Sequence, residues 1–215
     1  MRSYLSIIVL VLIAALSYSC TDPAANKQKA TVANAAPESS VPISTAADAL
    51  NISPENSKVE FVASKVTRSH NGSFKQFSGR LDFVAKYWQE SKVTIDIDTV
   101  SVETDEPQLT GHLKTADFFD VAKFPKATFV STKIEPGATG GETQTLTVTG
   151  NFDLHGVKKS ITFPATVKVT PDSVAVDAEF SINRKDFAIV YAGKADDLIR
   201  DGVVIKLTLK VPRKK

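Results

Sequence analysis

The sequence is poor in cysteine and in net charge, and these two absences exclude several classes of protein. Cys20 is the only cysteine among 215 residues, so the fold has no intrachain disulfide and is not a small domain stabilised by several of them. The chain has 26 Lys and Arg residues against 24 Asp and Glu residues. Residues 1–19 carry only one charge, Arg2, so the chain from residue 20 onward has 25 basic against 24 acidic residues, a net charge of +1. Nucleic-acid binding needs many cations on one face, and this composition argues against it.

Close groups of catalytic or metal-ligating residues are also lacking. His70, His112 and His155 lie far apart in the sequence, and none has the short spacing typical of a metal-binding pair. The sequence has no glycine-rich phosphate loop and no serine in a nucleophile-elbow context. Asp117 and Asp120 could act as paired carboxylates, but such pairs are more often helix caps or solvated charges. We therefore predict no metal, no cofactor and no catalytic residue.

The N-terminal residues have the features of an export signal. Within residues 1–19, Arg2 is the only charge, and an uncharged apolar run follows from Leu5 to Leu16. This pattern predicts a secretory signal peptide, since the run is shorter than the ~20 residues that span a bilayer as a helix. The signal ends in LSYS directly before Cys20, as at the cleavage and acylation site of a bacterial lipoprotein. We predict lipid attachment at Cys20.

Residues 20–47 lack a periodic apolar face. They are rich in Ala, Asn, Ser and Thr and include three prolines, so the segment buries too little apolar surface to offset its ordering entropy. We predict a disordered tether. Thr21 stands where an enterobacterial inner-membrane retention signal has aspartate, and we expect a cell-envelope protein anchored to the outer membrane with its domain in the periplasm.

Residues 48–213 have the size of one domain with one core. Eight of its segments alternate apolar and polar residues, the period-2 signal of strands with one buried face. They lie at 58–66, 74–84, 93–97, 127–134, 146–154, 161–169, 174–182 and 203–211. The pattern predicts an all-β antiparallel barrel or sandwich of about eight strands. The exception is a short helix predicted around 106–114, followed by an irregular turn through Phe118 and Phe119.

Several motifs occur together in the order found in a known family. These are Gly79, the segment 109–120 (LTGHLKTADFFD), the segment 124–129 (FPKATF), the segment 150–157 (GNFDLHGV) and the segment 183–187 (NRKDF). As a set they resemble the YceI-like family of bacterial envelope proteins over almost all of residues 48–211. The family often has glycine after the Asp-Phe pair, whereas this chain has Ala188, which tolerates a positive φ poorly.

The resemblance implies a lipocalin-like antiparallel β-barrel that holds a long polyisoprenoid or quinone-like lipid. The composition is compatible, because an eight-stranded barrel has room for one slender ligand and twelve phenylalanines against one tryptophan supply an apolar lining. We expect non-catalytic binding, transport or storage of an isoprenoid lipid. The alternatives are an enzyme acting on an isoprenoid or small molecule in the cavity, and a filled barrel with a structural or stress-response role. A homodimer is left open.

The alternation also assigns candidate ligand-binding residues. Phe118 and Phe119 are expected to close one end of the barrel. The expected wall residues are Phe77, Leu81, Phe83, Phe129, Phe152, Phe163 and Phe180. Each wall residue is equally explained by core packing, because hollow and filled barrels share one alternation. Arg184 and Asp186 are expected to form an ion pair that closes the barrel end, or to contact a polar ligand head.

Overall fold

The structure is a computed structural model that describes residues 21–37, 47–85, 87–140 and 143–213. Over these ranges the protein is built from β-strands with one short α-helix. The predicted signal peptide and Cys20 lie outside the described residues. No helix in the described part of the chain has the length and apolar content needed to cross a bilayer.

The elements of the described ranges are numbered in chain order. The strands of the N-terminal half are β1 Thr31–Asn34, β2 Asp48–Ile52, β3 Ser57–Ser64, β4 Ser69–Phe74, β5 Phe77–Phe83, β6 Lys92–Asp98 and β7 Val102–Thr104. Helix α1, Pro107–Leu113, separates them from the longer strands. These are β8 Lys126–Gly140, β9 Thr143–Leu154, β10 Val157–Val169, β11 Ser173–Asn183 and β14 Gly202–Pro212, with the two-residue strands β12 Gly193–Lys194 and β13 Asp197–Leu198 between the last two.

Twelve of these strands form one antiparallel sheet that curls into a barrel. Its order is β2-β5-β6-β8-β9-β10-β11-β14-β3-β4-β7, and β1 pairs with β10. The edge strand β2 lies near the end of β14. Arg213, the residue after β14, donates from Nη2 to Asp48 Oδ2 of β2 at 2.9 Å. The eight predicted strands correspond to β3, β5, β6, β8 to β11 and β14, which confirms the predicted fold class. The additional strands β1, β2, β4 and β7 have three to six residues each and were not predicted; β4, for example, reads SHNGSF and shows no alternation of apolar and polar residues.

Helix α1 covers one end of the barrel, which confirms the predicted helix around 106–114. It begins after Glu106 with Pro107 at its first position, where the missing backbone N–H costs nothing. The chain then turns back over the barrel, and the side chains of Leu113 and Phe118 are buried against the barrel. We call residues 107–119 the lid.

Residues 28–34 belong to the sheet, so the prediction of a disordered tether is wrong for this stretch. Strand β1 pairs antiparallel with β10, with Thr31 opposite Thr162. Just before it, the Ala30 N–H donates to the Ser181 carbonyl at 2.8 Å, and the Ser181 N–H donates to a carbonyl of the same N-terminal segment at 2.9 Å. The segment therefore bridges β10 and β11.

The bridge exists because β10 and β11 separate toward the lid end. Their own pairing is confined to Thr166–Val169 of β10, so the first residues of β10 and the last of β11 are left with unpaired backbone groups on facing edges. Buried backbone groups need partners, and the N-terminal segment supplies them through its main chain. Main-chain pairing needs no apolar periodicity, and the sequence therefore carries no sign of it.

A buried asparagine fastens the end of this segment. Asn151 on β9 is 1% exposed. Its Oδ1 accepts from the Ala36 N–H at 2.9 Å, and its Nδ2 donates to the Ala36 carbonyl at 2.8 Å. The side chain thus holds the chain that follows β1 against β9, the strand on the other side of β10.

We expect Asn151→Ala to lower the free energy of unfolding by about 1–3 kcal/mol, because both Ala36 groups lose their partner in a buried setting. Urea unfolding followed by circular dichroism measures the change. The control is Asn34→Ala, which removes an exposed side chain from β1 but keeps the backbone pairing. Equal stabilities for the two variants would contradict the proposed fastening.

Candidate functional site

An apolar cavity of about 100 Å³ lies inside the barrel under the lid. Its wall is formed by residues of β3, β4, β6, β8, β9, β11 and β14, by the lid, and by the loop that follows β11. These are Phe61, Ala63, Phe74, Ile97, Leu113, Phe118, Phe119, Ala127, Phe152, Leu154, Ile182, Arg184, Ile189, Ile199, Val203 and Ile205. Fifteen of the sixteen are hydrophobic, so the wall suits an apolar occupant.

Arg184 is the one polar residue of the wall, and its guanidinium is turned toward the protein backbone. The side chain is 5% exposed. Nη1 donates to the Ile189 carbonyl at 2.8 Å, Nε donates to the Arg200 carbonyl at 3.2 Å, and Nη2 lies 3.1 Å from Asp201 Oδ1. The charge is therefore satisfied by the loop from 187 to 201 and holds that loop against the barrel.

The expected ion pair between Arg184 and Asp186 is wrong, because Arg184 pairs with Asp201. The two residues lie in a 3₁₀ turn, Arg184–Phe187. Three residues complete one turn of such a helix, so side chains two positions apart leave it in different directions. Only the tertiary structure brings Asp201 to the guanidinium.

Ala188 ends this turn in the left-handed conformation, with φ 57° and ψ 17°. This is the position at which the sequence suggested an unfavourable backbone, since the related family often has glycine there. Left-handed geometry costs an L-residue roughly 1–2 kcal/mol. The surrounding contacts hold this conformation. Arg184 and Phe187, the first and last residues of the turn, are both buried, and Phe187 is 0% exposed.

The lid is held by aromatic contacts. Within the lid, Phe118 packs edge-on against His112 at 4.9 Å, and both rings contact Tyr191 outside it, at 5.5 Å and 5.2 Å between ring centroids. Phe119 packs against Phe74 of β4 at 5.7 Å. The lid therefore rests on apolar and aromatic contacts over the cavity, and Phe118 and Phe119 both line the cavity wall.

A polar clasp joins the start of the lid to β4. His70 Nδ1 lies 2.8 Å from Asp105 Oδ1, and the Asn71 N–H donates to Asp105 Oδ2 at 3.1 Å. Burial raises the pKa of the Asp105 carboxyl, but the hydrogen bonds from His70 and Asn71 lower it, and the net pKa is below its usual value. Because the folded state lowers this pKa, the ionised Asp105 carboxylate stabilises the fold. That stabilisation is fully present above the unfolded pKa of the carboxyl and is lost as pH falls through the folded pKa.

An open groove of about 690 Å³ lies directly outside the cavity, between the lid, the β3–β4 hairpin and the loop 191–199. The groove has polar walls that include Lys65, Arg68, His70, Glu106 and Asp197. Groove and cavity share five lining residues: Phe61, Ala63, Leu113, Phe118 and Ile199. These side chains lie between the apolar interior and the groove, so we call the groove the mouth of the barrel.

The structure brings three of the nine predicted ligand-binding residues to the cavity wall, namely Phe118, Phe119 and Phe152. The other six are buried, but they lie in the packed core away from that wall: Phe77, Leu81, Phe83, Phe129, Phe163 and Phe180. Phe163 stacks on Phe180 at 4.1 Å, which leaves no space between them. A contact between any of the nine and a ligand stays a prediction.

Sequence reasoning missed Phe61 and Phe74, the aromatic residues of the wall on β3 and β4. Phe61 lies opposite Gly72 in the strand register, and a Cβ at Gly72 would lie 2.1 Å from Phe61 Cζ. Glycine inside a strand often marks such a close approach. An isolated glycine in a short strand was therefore the available signal for the Phe61 ring.

The remaining polar candidates each have a partner of their own. Asp117 lies 2.7 Å from His112 Nε2, and Asp120 lies 3.0 Å from Lys123 Nζ, so the two carboxylates are engaged with different partners. His155 Nδ1 lies 3.3 Å from a backbone carbonyl. Across the described ranges, no three His, Cys, Asp or Glu residues are grouped closely enough to hold a metal ion.

Comparisons with known proteins agree with this geometry. The family model described as the YceI-like domain matches residues 50–211. The curated Protein YceI of Salmonella arizonae is 38% identical over 124 residues, which cover 55% of this chain and 62% of that protein. The match thus spans less than two thirds of the length of this relative.

Two solved structures share the fold. BcnA of Burkholderia cenocepacia superposes with a TM-score of 0.67 at 27% identity, over 74% of this chain and 98% of that one. A polyisoprenoid binding domain from Saccharophagus degradans, implicated in plant cell wall breakdown, superposes with a TM-score of 0.62 at 20% identity, over 78% and 99%. At that identity the second likeness is one of fold alone.

We expect Ala188→Gly to raise the free energy of unfolding by about 0.5–1 kcal/mol, because glycine adopts the left-handed conformation without strain. Urea unfolding measures the gain. The matched control is Ala175→Gly on β11, where the same change in an extended strand is expected to destabilise the fold. A loss of stability in both variants would show that Ala188 is not strained.

Proposed function

Because the chain belongs to the YceI-like family, we propose that it binds a long-chain isoprenoid lipid and carries or stores it in the bacterial cell envelope. The observation that carries the proposal is the chemistry of the cavity wall. Fifteen hydrophobic residues and a guanidinium engaged by its own loop present an apolar surface to an occupant. Such a wall selects by shape and apolar contact, and each buried CH₂ contributes about 0.8 kcal/mol.

The size of the cavity indicates how such a ligand enters. A cavity of ~150 Å³ accommodates benzene, so about 100 Å³ has room for about one five-carbon isoprene unit. By the same measure the mouth, about 690 Å³, has room for about five units. A long chain therefore requires Leu113 and Phe118 to move aside, which joins the cavity and the mouth into one channel.

A binding role is supported further by what surrounds the cavity. Among the described residues of its wall, Arg184 is the only ionisable one, and a buried guanidinium neither donates nor accepts a proton near neutral pH. The wall thus offers no general acid, general base or nucleophile. The fold shared with the polyisoprenoid binding domain of Saccharophagus degradans is consistent with a non-catalytic lipid carrier.

The envelope location in this proposal rests on the N-terminal sequence. The apolar run from Leu5 to Leu16 and the following Cys20 favour export and lipid attachment. A carrier of a water-insoluble lipid works beside the membrane that holds its ligand, and a lipid anchor keeps it there.

We expect Phe119→Ala to weaken binding of a fluorescent polyprenyl analogue about tenfold, equivalent to ~1.4 kcal/mol, with a smaller effect on stability. The ring is partly buried on the lid and faces the cavity, so its loss removes contact with the ligand more than packing. Protein purified from its own host should yield an apolar lipid on organic extraction, and the variant should yield less.

The control for this experiment is Phe180→Leu, which changes the packed core away from the cavity wall. It is expected to lower stability more than binding, the opposite order to Phe119→Ala. Unchanged binding of the analogue by well-folded Phe119→Ala would count against the lipid-binding proposal.

The anchor is tested separately. Cys20→Ser removes the acylated atom, so we expect the protein to move from the membrane fraction to the soluble fraction of the envelope, as measured by fractionation and immunoblotting. Thr21→Ser, a conservative change beside it, should leave the protein with the membranes. A Cys20→Ser protein that stays wholly in the membrane fraction would contradict acylation.

A further inference from the structure

Exposed apolar side chains are concentrated at the mouth of the barrel. Five large hydrophobic residues of the described ranges are exposed: Val66, Tyr87, Val100, Val190 and Leu198. Three of them lie beside the mouth. The Val66 N–H donates to the Leu198 carbonyl at 3.1 Å, and Val190, 64% exposed, precedes Tyr191, which lines the groove. We call Val66, Val190 and Leu198 the mouth tips.

The charges of the mouth are balanced. Its lining cations and anions are Lys65, Arg68 and Lys194 against Glu106, Asp196 and Asp197. Lys65 and Asp197 form an ion pair with each other. A surface that binds through these mouth tips is therefore attracted by apolar burial, with little dependence on salt.

The N-terminal segment returns to this same end of the barrel. Asp22 Oδ2 lies 3.9 Å from Arg200 Nη1, and the Arg200 N–H donates at 2.9 Å to the carbonyl of Ser64, a residue that lines the mouth. Ala24 lies close above Gly202, where an added Cβ would approach its side chain to 2.8 Å. The first described residues are thus fixed at the rim of the mouth.

This position limits where the membrane can be. Cys20 precedes Asp22 by two residues, so covalent geometry holds its Cα within about 7 Å of the Asp22 Cα. The apolar run from Leu5 to Leu16 precedes both. A lipid on Cys20 or a membrane segment before it would in either case enter the bilayer next to the mouth.

We infer that the mouth end of the barrel docks on the surface of a lipid bilayer, with Val66, Val190 and Leu198 inserted among the lipids. This inference rests on the proposed function, since a lipid ligand gives the contact its purpose. Exposed apolar residues beside a binding groove are typical of such contacts. A ligand then passes between bilayer and barrel through the mouth, and its apolar chain does not cross water.

The test measures the depth of two matched tryptophans. Trp88 is the only tryptophan and packs on Phe83 at 5.0 Å between ring centroids, at the end of the barrel opposite the lid. In a Trp88→Phe background, Val190→Trp places a probe at the mouth and Tyr87→Trp places one at the far end. The full chain is incorporated into vesicles of phosphatidylethanolamine and phosphatidylglycerol whose acyl chains carry bromine, which quenches nearby tryptophan.

We expect several-fold stronger quenching of the Val190→Trp probe than of the Tyr87→Trp probe, unchanged at high salt. A second variant, Val190→Asp with Leu198→Asp, should remove the vesicle-dependent part of polyprenyl transfer, because carboxylates resist insertion into lipid. Its match, Tyr87→Asp, should leave transfer unchanged. Equal quenching at both probes, or no association with vesicles, would overturn the inference.

Binding of the fluorescent polyprenyl analogue in solution separates this inference from the proposed function. Bound analogue with an unquenched Val190→Trp probe refutes membrane docking and leaves the carrier role standing. A quenched probe without bound analogue supports the docking face and refutes the carrier role.

Discussion

The buried guanidinium of Arg184 is the interaction on which the functional end of this barrel depends. Its three nitrogen atoms bind carbonyls and a carboxylate of the loop that runs from 187 to 201. That loop supplies Ile189 and Ile199 to the cavity, Tyr191 to the mouth and two of the mouth tips. Removing the charge would leave these carbonyls without donors inside the protein, a costly state, and would release one wall of the cavity.

The same loop connects the cavity to the N-terminal segment. Arg200 follows Ile199 of the cavity wall, and its side chain approaches Asp22. Further along the segment, β1 fills the gap between β10 and β11, and Asn151 fastens Ala36. The segment before the domain is thus an integral part of the sheet, and its first described residues lie beside the mouth.

The closed lid gives the barrel its present small cavity. His112 and Phe118 of the lid rest on Tyr191, and Phe119 rests on Phe74, through ring contacts of the kind worth about 0.5–1.5 kcal/mol each. Interactions of this size are compatible with the proposed displacement of the lid by an apolar ligand, since such a ligand would replace the lost contacts with its own. The fold therefore combines a rigid sheet with one cover that is held by modest forces.

Alternation of apolar and polar residues was sufficient to predict eight strands and the antiparallel barrel, because a strand with one buried face has a local period of two residues. The helix near 106–114 was predictable from a segment poor in β-branched residues that ends before Pro125. Burial of Phe163 and Phe180 was predictable from the alternation. Their separation from the cavity was not, because a period states which face is buried and not whether the space beyond it is filled.

Tertiary structure decided the features that depend on residues distant in the chain. Strand β1 forms because β10 and β11 leave backbone groups unpaired, and its own backbone pairs with them. Arg184 pairs with Asp201 and not with the nearby Asp186, because the 3₁₀ turn directs the Arg184 and Asp186 side chains apart. The short strand β4 places Gly72 beneath Phe61 and so completes the wall. Each of these outcomes requires knowing which strand edges and side chains the barrel brings together, and that information lies in the closed sheet and not in any local pattern of the sequence.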